Sequence, residues 1–399
     1  MYDERSHPSV ARRNLRDVLG TIALKGPLSR TEISRQTGLH AASVSRITKS
    51  LIAADLVRER SEISTPGKPG RRFIELEVKP DGGYVIGIAI NALEQSVTLA
   101  NIRNERIDRV DLRSVDVADW SAVIDDIVKC TLEMAERNGV SQARMFGASV
   151  AVTGVINTDS GAVIAAPPLG WKDVPLREKL AEGLQMDVTV ENLPNAINLA
   201  EHRFGISADF SSTLLMNTAL GVGSSLLLNG QLHKGLHRSG MLAGEVLISG
   251  DDGRPPRPLN LAAGGRGVLV ESGMPVGDVQ RLPAGEATRQ LAALMAEAEN
   301  GDQFLIEALR RSGQMMGRFM ALAGSVLQPE AYIISGLLGR TPAYANACAD
   351  ALRQQLGDDS VKVCVSMMTT QSAARWLAIG TWLIDKDLEL SALSLAEAA

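Results

Sequence analysis

The side chains with the clearest capacity for chemistry lie between residues 42 and 49. Val44, Ile47 and Leu51 recur at helical spacing, so the positions between them fall on the opposite, outward face of a helix that begins near Ala41. Ser, Arg and Lys reach base edges and phosphates, and small residues let a helix enter a major groove closely. These residue types therefore predict contacts with double-stranded DNA from Ala42, Ser43, Ser45, Arg46 and Lys49.

A second candidate set is cationic and lies between two segments of strand-like sequence, residues 57–60 and 73–78. The intervening tip, residues 66–72, is rich in Pro and Gly, so the segment predicts a two-stranded wing. An extended cationic tip without bulky side chains fits a narrow minor groove rich in A·T pairs. A solvated basic loop is the alternative. The predicted DNA contacts in the tip are Lys68, Arg71 and Arg72.

The elements that must position both sets form a helix-turn-helix. An amphipathic helix over residues 15–22 ends before Pro27, since proline disfavours helical conformation in the residue before it. Ser29 and Glu32 predict a capping box, in which each side chain bonds the other residue's amide. Gly38 suits the tight turn before the next helix. A purely structural helical bundle is the alternative, but cap, turn, polar face and basic wing in this order favour DNA binding.

The distribution of charge agrees with this interpretation. Residues 1–80 contain 15 Lys or Arg against 9 Asp or Glu, a balance of +6. The remainder contains 26 against 37, a balance of -11, and the whole chain carries -5. A basic head on an acidic body indicates that the head, and not the body, meets a polyanion.

Composition and cysteine usage indicate a soluble protein of the cytoplasm. A hydrophobic content of 45% with 22% charged residues is typical of globular chains. The longest apolar stretches fall far short of the roughly 18 to 20 residues that span a bilayer, and the acidic N-terminus is unlike a secretory signal. Cys130, Cys348 and Cys364 are scattered and odd in number, so we expect small buried hydrophobes in a reducing compartment.

The body predicts an α/β fold with mixed sheets, because short β-branched runs alternate with helical segments and hairpins. Its length, roughly 310 residues, favours two lobes with a cleft. The predicted strands are Tyr84–Ile90, 96–101, Met145–Val152, 187–190, 213–217 and 331–334. The predicted helices are Trp120–Arg137, 174–183 and Gln303–Leu327.

Sequence signatures of several enzyme classes are missing from the chain, which contains no HExxH, GxSxG, complete Walker loop or paired-cysteine motif. Two glycine-rich turns, residues 220–223 and 335–339, would cradle phosphate through backbone amides, with ordinary tight turns as the alternative. His202, His233 and His237 have no convincing partner pattern, so a structural role is the alternative to ligand binding. We expect neither a metal nor a cofactor.

Nearly the whole chain resembles the ROK family, named for its repressors, open reading frames and sugar kinases. The head resembles that of the family's sugar-responsive repressors at residues 26–33, 37–39 and 44–47. Residues 166–171, 190–196 and 244–246 follow the family's order in the body. The resemblance implies a winged helix-turn-helix before an actin-like body of two ribonuclease-H-type lobes, with sugar in the cleft. The implied domains are a DNA-binding head at 1–80, a first lobe at 81–200 with a C-terminal helix at 372–399, and a second lobe with the cleft and oligomerisation surface at 201–371.

Departures from the family's kinase pattern predict a chain without catalytic residues. The Asp-x-Gly phosphate turn is replaced by Ala89-Ile90-Asn91, and Gly-Thr-Gly by Ala219-Leu220-Gly221. The family's Asn-Asp pair carries the general base, but here Asn192-Leu193 leaves no side chain to accept the proton. The Gly-Glu-Ile-Gly-His segment is replaced by residues 244–248, which end in Ile248. Residues 255–267 contain no Cys, so the family's zinc site cannot form.

These patterns favour a regulator of carbohydrate-related genes that responds to a sugar-like or other small effector. Asn192 and Glu245 match the family's sugar contacts, with helix capping or a structural role as the alternative, and His233 and His237 are further candidate ligand contacts. Leu193 and Ile248 in place of the family's Asp and His predict a more apolar pocket, which suits a modified sugar, a less hydroxylated metabolite or an altered orientation. The competing interpretations are a ligand-blind regulator whose body only oligomerises and, remotely, an atypical sugar kinase. The helix Gln303–Leu327 predicts pairing with a second copy, in a homodimer or homotetramer.

Overall fold

The computed structural model describes residues 10–61, 74–112, 116–235, 240–250 and 253–386. The predicted tip contacts Lys68, Arg71 and Arg72, the candidate His237 and residues 387–399 of the expected C-terminal helix lie outside these ranges. Over the described part of the chain, no helix combines the length and hydropathy that a membrane span requires.

The head is a winged helix-turn-helix, as the sequence predicts. Three helices pack around a core that includes Leu19, Ile33 and Leu51, and Gly38 forms the inter-helix turn in the left-handed conformation, at a φ of 69°. A small sheet of order β1-β3-β2 carries the wing. The elements are α1 (Val10–Lys25), β1 (Leu28–Ser29), α2 (Arg30–Thr37), α3 (Ala41–Ala53), β2 (Val57–Ser61) and β3 (Ile74–Val78).

The predicted capping box at the start of α2 forms in one direction. Ser29 Oγ accepts a hydrogen bond from the Glu32 N–H at 3.2 Å. The Glu32 carboxylate instead accepts from Arg35 Nη2 at 2.6 Å. Ser29 belongs to β1, which pairs with β3, so its main chain is already held by the sheet.

The first lobe is built on a five-stranded sheet of order β11-β7-β4-β5-β6, in which β4, β5 and β6 are antiparallel and β4, β7 and β11 are parallel. Helices α4 and α5 cover one face around a core that includes Ile127, Val150 and Leu180. The elements are β4 (Tyr84–Ile90), β5 (Gln95–Asn101), β6 (Arg106–Asp111), α4 (Trp120–Arg137), β7 (Met145–Val152), β8 (Val155–Asn157), β9 (Ala162–Ala166), β10 (Trp171–Val174), α5 (Leu176–Leu184) and β11 (Val188–Asn192).

The second lobe repeats this architecture. Its sheet has the order β14-β13-β12-β17-β18, with the same sequence of antiparallel and parallel neighbours, so the two-lobed ribonuclease-H-type expectation is confirmed. The elements are α6 (Leu193–Phe204), β12 (Thr213–Thr218), β13 (Val222–Leu228), β14 (Gln231–Leu232), β15 (Leu247–Ile248), β16 (Arg257–Pro258), α7 (Leu259–Ala262), α8 (Gly265–Glu271), α9 (Val276–Arg281), α10 (Ala284–Glu299), α11 (Gln303–Leu327), β17 (Ala331–Ser335), α12 (Gly336–Gly339), α13 (Pro342–Leu356), β18 (Val363–Val365) and α14 (Thr370–Ile379), which continues as a π-helix (Gly380–Asp385).

Helices α6 and α14 lie between the two sheets. Helix α14 packs on β4 and β7, and α6 packs on β12 and β13. A methyl group at Gly87 of β4 would lie 2.8 Å from the Arg375 main-chain nitrogen, so only glycine permits this approach of α14. The shared core between the lobes comprises Ala89, Ala151, Leu193, Ala196, Ile197, Leu215, Ile333, Ala373, Ala374 and Leu377.

Helices α11 and α13 cover the outer face of the second sheet and cross at short range. Gly313 and Gly317 lie against the main chain of α13, and methyl groups there would collide with the carbonyl oxygens of Tyr344 and Cys348. Cys348 is buried beside Met320, as the sequence predicts, whereas Cys130 and Cys364 are only half-buried. Close packing of this helix pair therefore depends on glycine at both positions.

Gly317→Ala should destabilise the protein, because the added methyl group forces α11 away from α13. We expect a loss of about 1–3 kcal/mol in the free energy of unfolding, measured by urea denaturation. The matched control is Gly285→Ala in α10, where no other atom lies within 4 Å of the added methyl group. There we expect a gain of about 0.4–1 kcal/mol, and equal losses for the two variants would contradict this account of the helix pair.

Candidate nucleic-acid interface and ligand cleft

The polar face of α3 is exposed. Val44, Ile47 and Leu51 are buried in the head, as the predicted helix orientation requires. On the opposite side, Ala42, Arg46 and Lys49 are exposed, and Ser43 and Ser45 are half-exposed. The structure thus presents the predicted residues of α3 together on one accessible face, and their contact with DNA stays a prediction.

Arg30 fixes α3 relative to the rest of the head. Its Nε donates to Thr48 Oγ1 at 3.2 Å, and its Nη2 forms an ion pair with Glu59 Oε1 at 2.7 Å. These bonds join the start of α2 to α3 and to β2 of the wing. His40, which the sequence interpretation missed, is the N-cap residue of α3 and is exposed next to Ala42, a position that its place one residue before the predicted helix already indicated.

The head is docked on the first lobe. Leu19 and Ile22 of α1 share one apolar core with Trp382 and Leu383 of the C-terminal π-helix. Arg144 adds polar contacts, since its Nη1 donates to the Ala54 and Gly82 carbonyl oxygens at 3.0 and 3.1 Å. The orientation of the head, including α3, is therefore tied to the body.

Asn192, a predicted ligand contact, is the N-cap residue of α6. It is buried, and its Oδ1 accepts from the Asn195 N–H at 2.9 Å, which is the capping alternative noted from the sequence. A methyl group at Gly240 would lie 3.3 Å from Asn192 Nδ2, so the loop that contains Gly240 covers this amide. Asn195 Oδ1 is buried and accepts no hydrogen bond from the described residues.

Glu191 lies beneath this helix terminus, and the sequence interpretation did not single it out. Its Oε1 accepts from the Asn192 N–H and from Asn195 Nδ2, both at 2.9 Å. Burial raises the pKa of the Glu191 carboxyl above its ordinary value, although these hydrogen bonds and the nearby Lys234 ammonium act in the opposite direction. The Glu191 carboxyl group is therefore buried beside Asn192, the candidate ligand contact.

Glu245, the second candidate, is exposed on a short 3₁₀ turn. Its Oε1 accepts from Asn260 Nδ2 at 2.9 Å, and Asn260 Oδ1 accepts from the Val222 N–H at 2.7 Å. Val222 belongs to the glycine-rich turn between β12 and β13, so Asn260 already binds an amide that a phosphate would need. The sequence interpretation missed Asn260, and its only signal is a polar side chain within the apolar run of α7.

Asn192 and Glu245 are not joined by a hydrogen bond in the structure's described residues. They lie near the two ends of the segment from Gly240 to Glu245, whose middle is held by Ser224 through a bond to the Met241 carbonyl oxygen at 3.2 Å. His233 is exposed after β14, and its main-chain N–H donates to the Leu226 carbonyl oxygen at 2.8 Å. His202 Nδ1 lies 3.0 Å from the Phe210 carbonyl oxygen, a structural contact.

The residues that replace the family's catalytic groups serve packing and turn formation. Leu193 is 7% exposed in the core between the lobes, and Ile248 is 6% exposed in the core of the second lobe. The expectation that Leu193 makes the pocket more apolar is therefore corrected, because its side chain is committed to the interlobe core. Asn91 Oδ1 accepts from the Leu93 and Glu94 amides, and its Nδ2 donates to Thr370 of α14 at 3.0 Å.

The described residues include no cluster of three or more His, Cys, Asp or Glu side chains that could hold a metal ion. The position of the family's zinc loop instead adjoins a buried ion-pair cluster. Glu271 is bonded to Arg254 at 2.5 Å and to Arg257 at 3.0 Å, with Arg311 at 3.6 Å. These pairs hold α8 and the segment before α7 together.

Comparison with known proteins finds a matching family for the body and for the head. A family model described as ROK family matches residues 119–387, and one described as MarR family matches residues 16–63. The chain is 26% identical over 332 residues to the DNA-binding transcriptional dual regulator NagC of Escherichia coli, covering 78% of this chain and 77% of that protein. It is 29% identical over 232 residues to a xylose repressor of Caldicellulosiruptor bescii, covering 57% and 56%.

Solved structures share the fold. A ROK family transcriptional regulator, described as a homologue of the E. coli MLC protein, superposes with a TM-score of 0.73 at 20% identity and covers 97% of this chain and 98% of that one. A ROK family glucokinase from Streptomyces griseus superposes with a TM-score of 0.61 at 17% identity, over 74% of this chain and 98% of that one. The kinase match covers a smaller part of this chain than the regulator match.

Glu191→Gln should remove a pH dependence of stability. The raised pKa means that the folded protein keeps this proton to higher pH than the unfolded chain. The corresponding stability is present below the unfolded-state pKa and is lost as pH rises through the raised folded-state pKa. In urea denaturation from about pH 4 to pH 8, the free energy of unfolding of the variant should rise relative to that of the original protein as pH increases. The exposed Glu133→Gln serves as the control, and parallel pH profiles of Glu191→Gln and the original protein would contradict this account.

Proposed function

This chain belongs to the ROK family, and we propose on that premise that it is a DNA-binding transcriptional repressor of carbohydrate-related genes that responds to a sugar-like metabolite. The observation that carries the proposal is the exposed polar face of α3 on a winged helix-turn-helix docked to a ROK body. Small residues at the start of α3 permit close approach to a major groove, and Arg46 and Lys49 supply donors to bases and phosphates. Such a protein acts where the chromosome lies, in the cytoplasm.

We further propose that the body has no kinase activity. The position of the general base is occupied by Leu193, whose side chain is buried between the lobes. The Val222 amide, in the turn where the family binds phosphate, is bonded to Asn260. Ala89 stands where the family has a metal-organising carboxylate, and Asn91 at the end of the same segment is used in the β4–β5 turn. The position of the proton acceptor is thus filled by a buried alkyl side chain, and an amide of the phosphate turn is already bonded within the protein.

The effector that the cleft favours carries hydroxyl groups. Asn195 Oδ1 is a buried acceptor to which no described residue donates, and the Glu245 carboxylate is exposed at the other end of the same segment. Two relatives are named for N-acetylglucosamine and xylose, which supports a sugar derivative as the effector class. The internal hydrogen bonds of Asn192 and Glu245 favour the competing proposal, a ligand-blind regulator. Titration with N-acetylglucosamine and with xylose, followed by operator affinity, separates the two.

A continuous route connects the cleft to the head through α6. Asn192 caps one end of this helix, and Arg203 near the other end pairs with Asp385 of the π-helix at 2.8 Å. The Asp385 carbonyl oxygen accepts from Arg16 of α1 at 3.3 Å. Phe204 stacks on Trp376 of α14 with ring centroids 4.2 Å apart. A ligand that prefers one position of the α6 N-terminus thereby biases the position of the head.

We propose a homodimer or homotetramer as the working form, because two heads match a pseudo-palindromic operator. Helix α11 carries Phe304, Leu322 and Val326, whose large apolar side chains are exposed. A second copy of the chain would cover them. Light scattering of the purified protein reports the assembly directly.

Arg46→Ala should weaken operator binding and relax sequence preference at one base position. Operators are obtained by sequencing the genomic DNA fragments that the protein retains, and their affinities by fluorescence anisotropy. Loss of a bidentate base contact costs about 1–3 kcal/mol, or roughly 5- to 150-fold in affinity. The control is Arg281→Ala, an exposed arginine in α9 of the second lobe, which should bind as the original protein does. Unchanged binding by Arg46→Ala would show that the recognition face is wrongly assigned.

Arg203→Gln should loosen the head from the body. Loss of the ion pair with Asp385 removes a link to α1, so amide hydrogen exchange in α1 should accelerate while exchange in α4 stays the same. Arg137→Gln is the matched control, because it breaks an ion pair of 2.6 Å with Asp108 in the first lobe, away from the head. If α1 exchanges equally fast in both variants, the Arg203 link does not hold the head.

A further inference from the structure

A cavity of about 440 Å³ lies at the junction of the first lobe, α6, the β13–β14 hairpin and the C-terminal helix. Neither Asn192 nor Glu245 lines it, whereas Glu191, which accepts from the Asn192 N–H, does. Its volume falls within the range of about 300–1,000 Å³ that is typical of small-molecule sites.

The lining of this cavity has an excess of positive charge. Arg177 of α5, Arg203 of α6 and Lys234 after β14 come from three different elements, and Glu191 is the one acidic side chain among the lining residues. Asp385 does not line the cavity but pairs with Arg203. Even when Asp385 is included, three cations face two carboxylates. The hydroxyl groups of Thr158, Thr189 and Thr381 add further polar groups to the lining.

The two arginines are held in place before any ligand arrives. Arg177 Nη1 donates to the Asp159 carbonyl oxygen at 2.7 Å, and this bond uses one of its N–H groups. The stem of Arg177 packs over Gly161, where a methyl group would collide with it. Arg203 is held by Asp385 and lies over Gly380. Preorganised guanidinium groups lose little entropy when they bind an anion.

Glu191 competes only weakly for these cations. Its Oε1 already accepts hydrogen bonds from the Asn192 N–H and Asn195 Nδ2. Burial also raises the pKa of its carboxyl above the ordinary value. Lys234 is the cation whose charge acts on Glu191, and an incoming anion would offer it a second partner.

We propose that this cavity is a second ligand site, which binds the phosphate group of a small metabolite. A phosphate accepts paired N–H bonds from guanidinium groups and also attracts an ammonium group and hydroxyl donors, which is the set assembled here. The phosphate belongs either to the free inorganic ion or to a phosphorylated sugar, and 440 Å³ accommodates both. The binding site stands without the proposed function, whereas an effect of its ligand on DNA affinity rests on it.

The position of the cavity links such a ligand to the head. Arg203 is bonded to Asp385, whose carbonyl oxygen accepts from Arg16 of α1, and Thr381 of the lining belongs to the same π-helix. A phosphate that draws Arg203 toward the cavity competes with Asp385 for it. Occupancy of the site is therefore expected to change operator affinity.

The test is isothermal titration calorimetry of the full chain with inorganic phosphate and with glucose 6-phosphate, at constant ionic strength, with glucose as the uncharged comparison. We expect binding of at least one phosphate probe, weakened at least about tenfold in both Arg177→Gln and Lys234→Gln. Lys179→Gln, on the same helix as Arg177 but paired with Glu182 at 3.0 Å, should bind as the original protein does.

The outcomes either identify the source of the phosphate group or overturn the proposed site. Stronger binding of glucose 6-phosphate than of inorganic phosphate identifies a phosphorylated sugar, and equal binding identifies the phosphate group alone. Absence of binding of both probes to the original protein overturns the site. So does binding that is unchanged in either Arg177→Gln or Lys234→Gln, or equally weakened in Lys179→Gln. Thermal melting of each variant verifies that a loss of binding is not a loss of folding.

Discussion

The close packing of α6 and α14 between the two sheets is the constraint on which the rest of the structure depends. Small residues on the first sheet and on both helices, among them Ala89, Ala151, Ala196 and Ala374, leave room for this double layer. The strand before α6 ends at Asn192, so the same packing that joins the lobes also fixes the candidate ligand contact. It also fixes α14, whose π-helical continuation packs against α1 of the head. The junction of the lobes, the candidate ligand contact and the docking of the head are therefore linked through α6 and α14.

This constraint gives a physical account of how a kinase-like body serves as a regulator. Leu193 occupies the position of the family's catalytic base and contributes apolar surface to the interlobe core, which a carboxylate could enter only at a large desolvation cost. Asn260 and Asn91 likewise bind main-chain groups of the former phosphate turns within the protein. The residues at these positions hold the two lobes and their turns in a defined arrangement.

Much of the fold follows from local sequence patterns. Trp120–Arg137 and Gln303–Leu327 were predicted with the observed bounds, because helical periodicity and caps are read within a short window. Tyr84–Ile90 and Met145–Val152 were likewise predicted, since runs of β-branched residues mark buried strands. One local error was the capping box at Ser29, where pairing of β1 with β3 competes with the predicted bond. The bounds of other elements were also displaced, since the strand predicted at 187–190 is Val188–Asn192. Local patterns are sufficient wherever the stabilising partner is a sequence neighbour.

The sequence by itself determined the helix-turn-helix, the outward face of α3, the two-lobed α/β class and the loss of the catalytic residue types. Only the tertiary structure decided that Leu193 faces the interlobe core, that Asn260 occupies the Val222 amide, and that Lys234 lies near Glu191. It also decided the docking of the head, in which Arg16 and Asp385 meet across 369 residues of chain. The reason is physical: periodicity specifies which face of an element is buried, but not which distant element covers it or which polar group meets which partner.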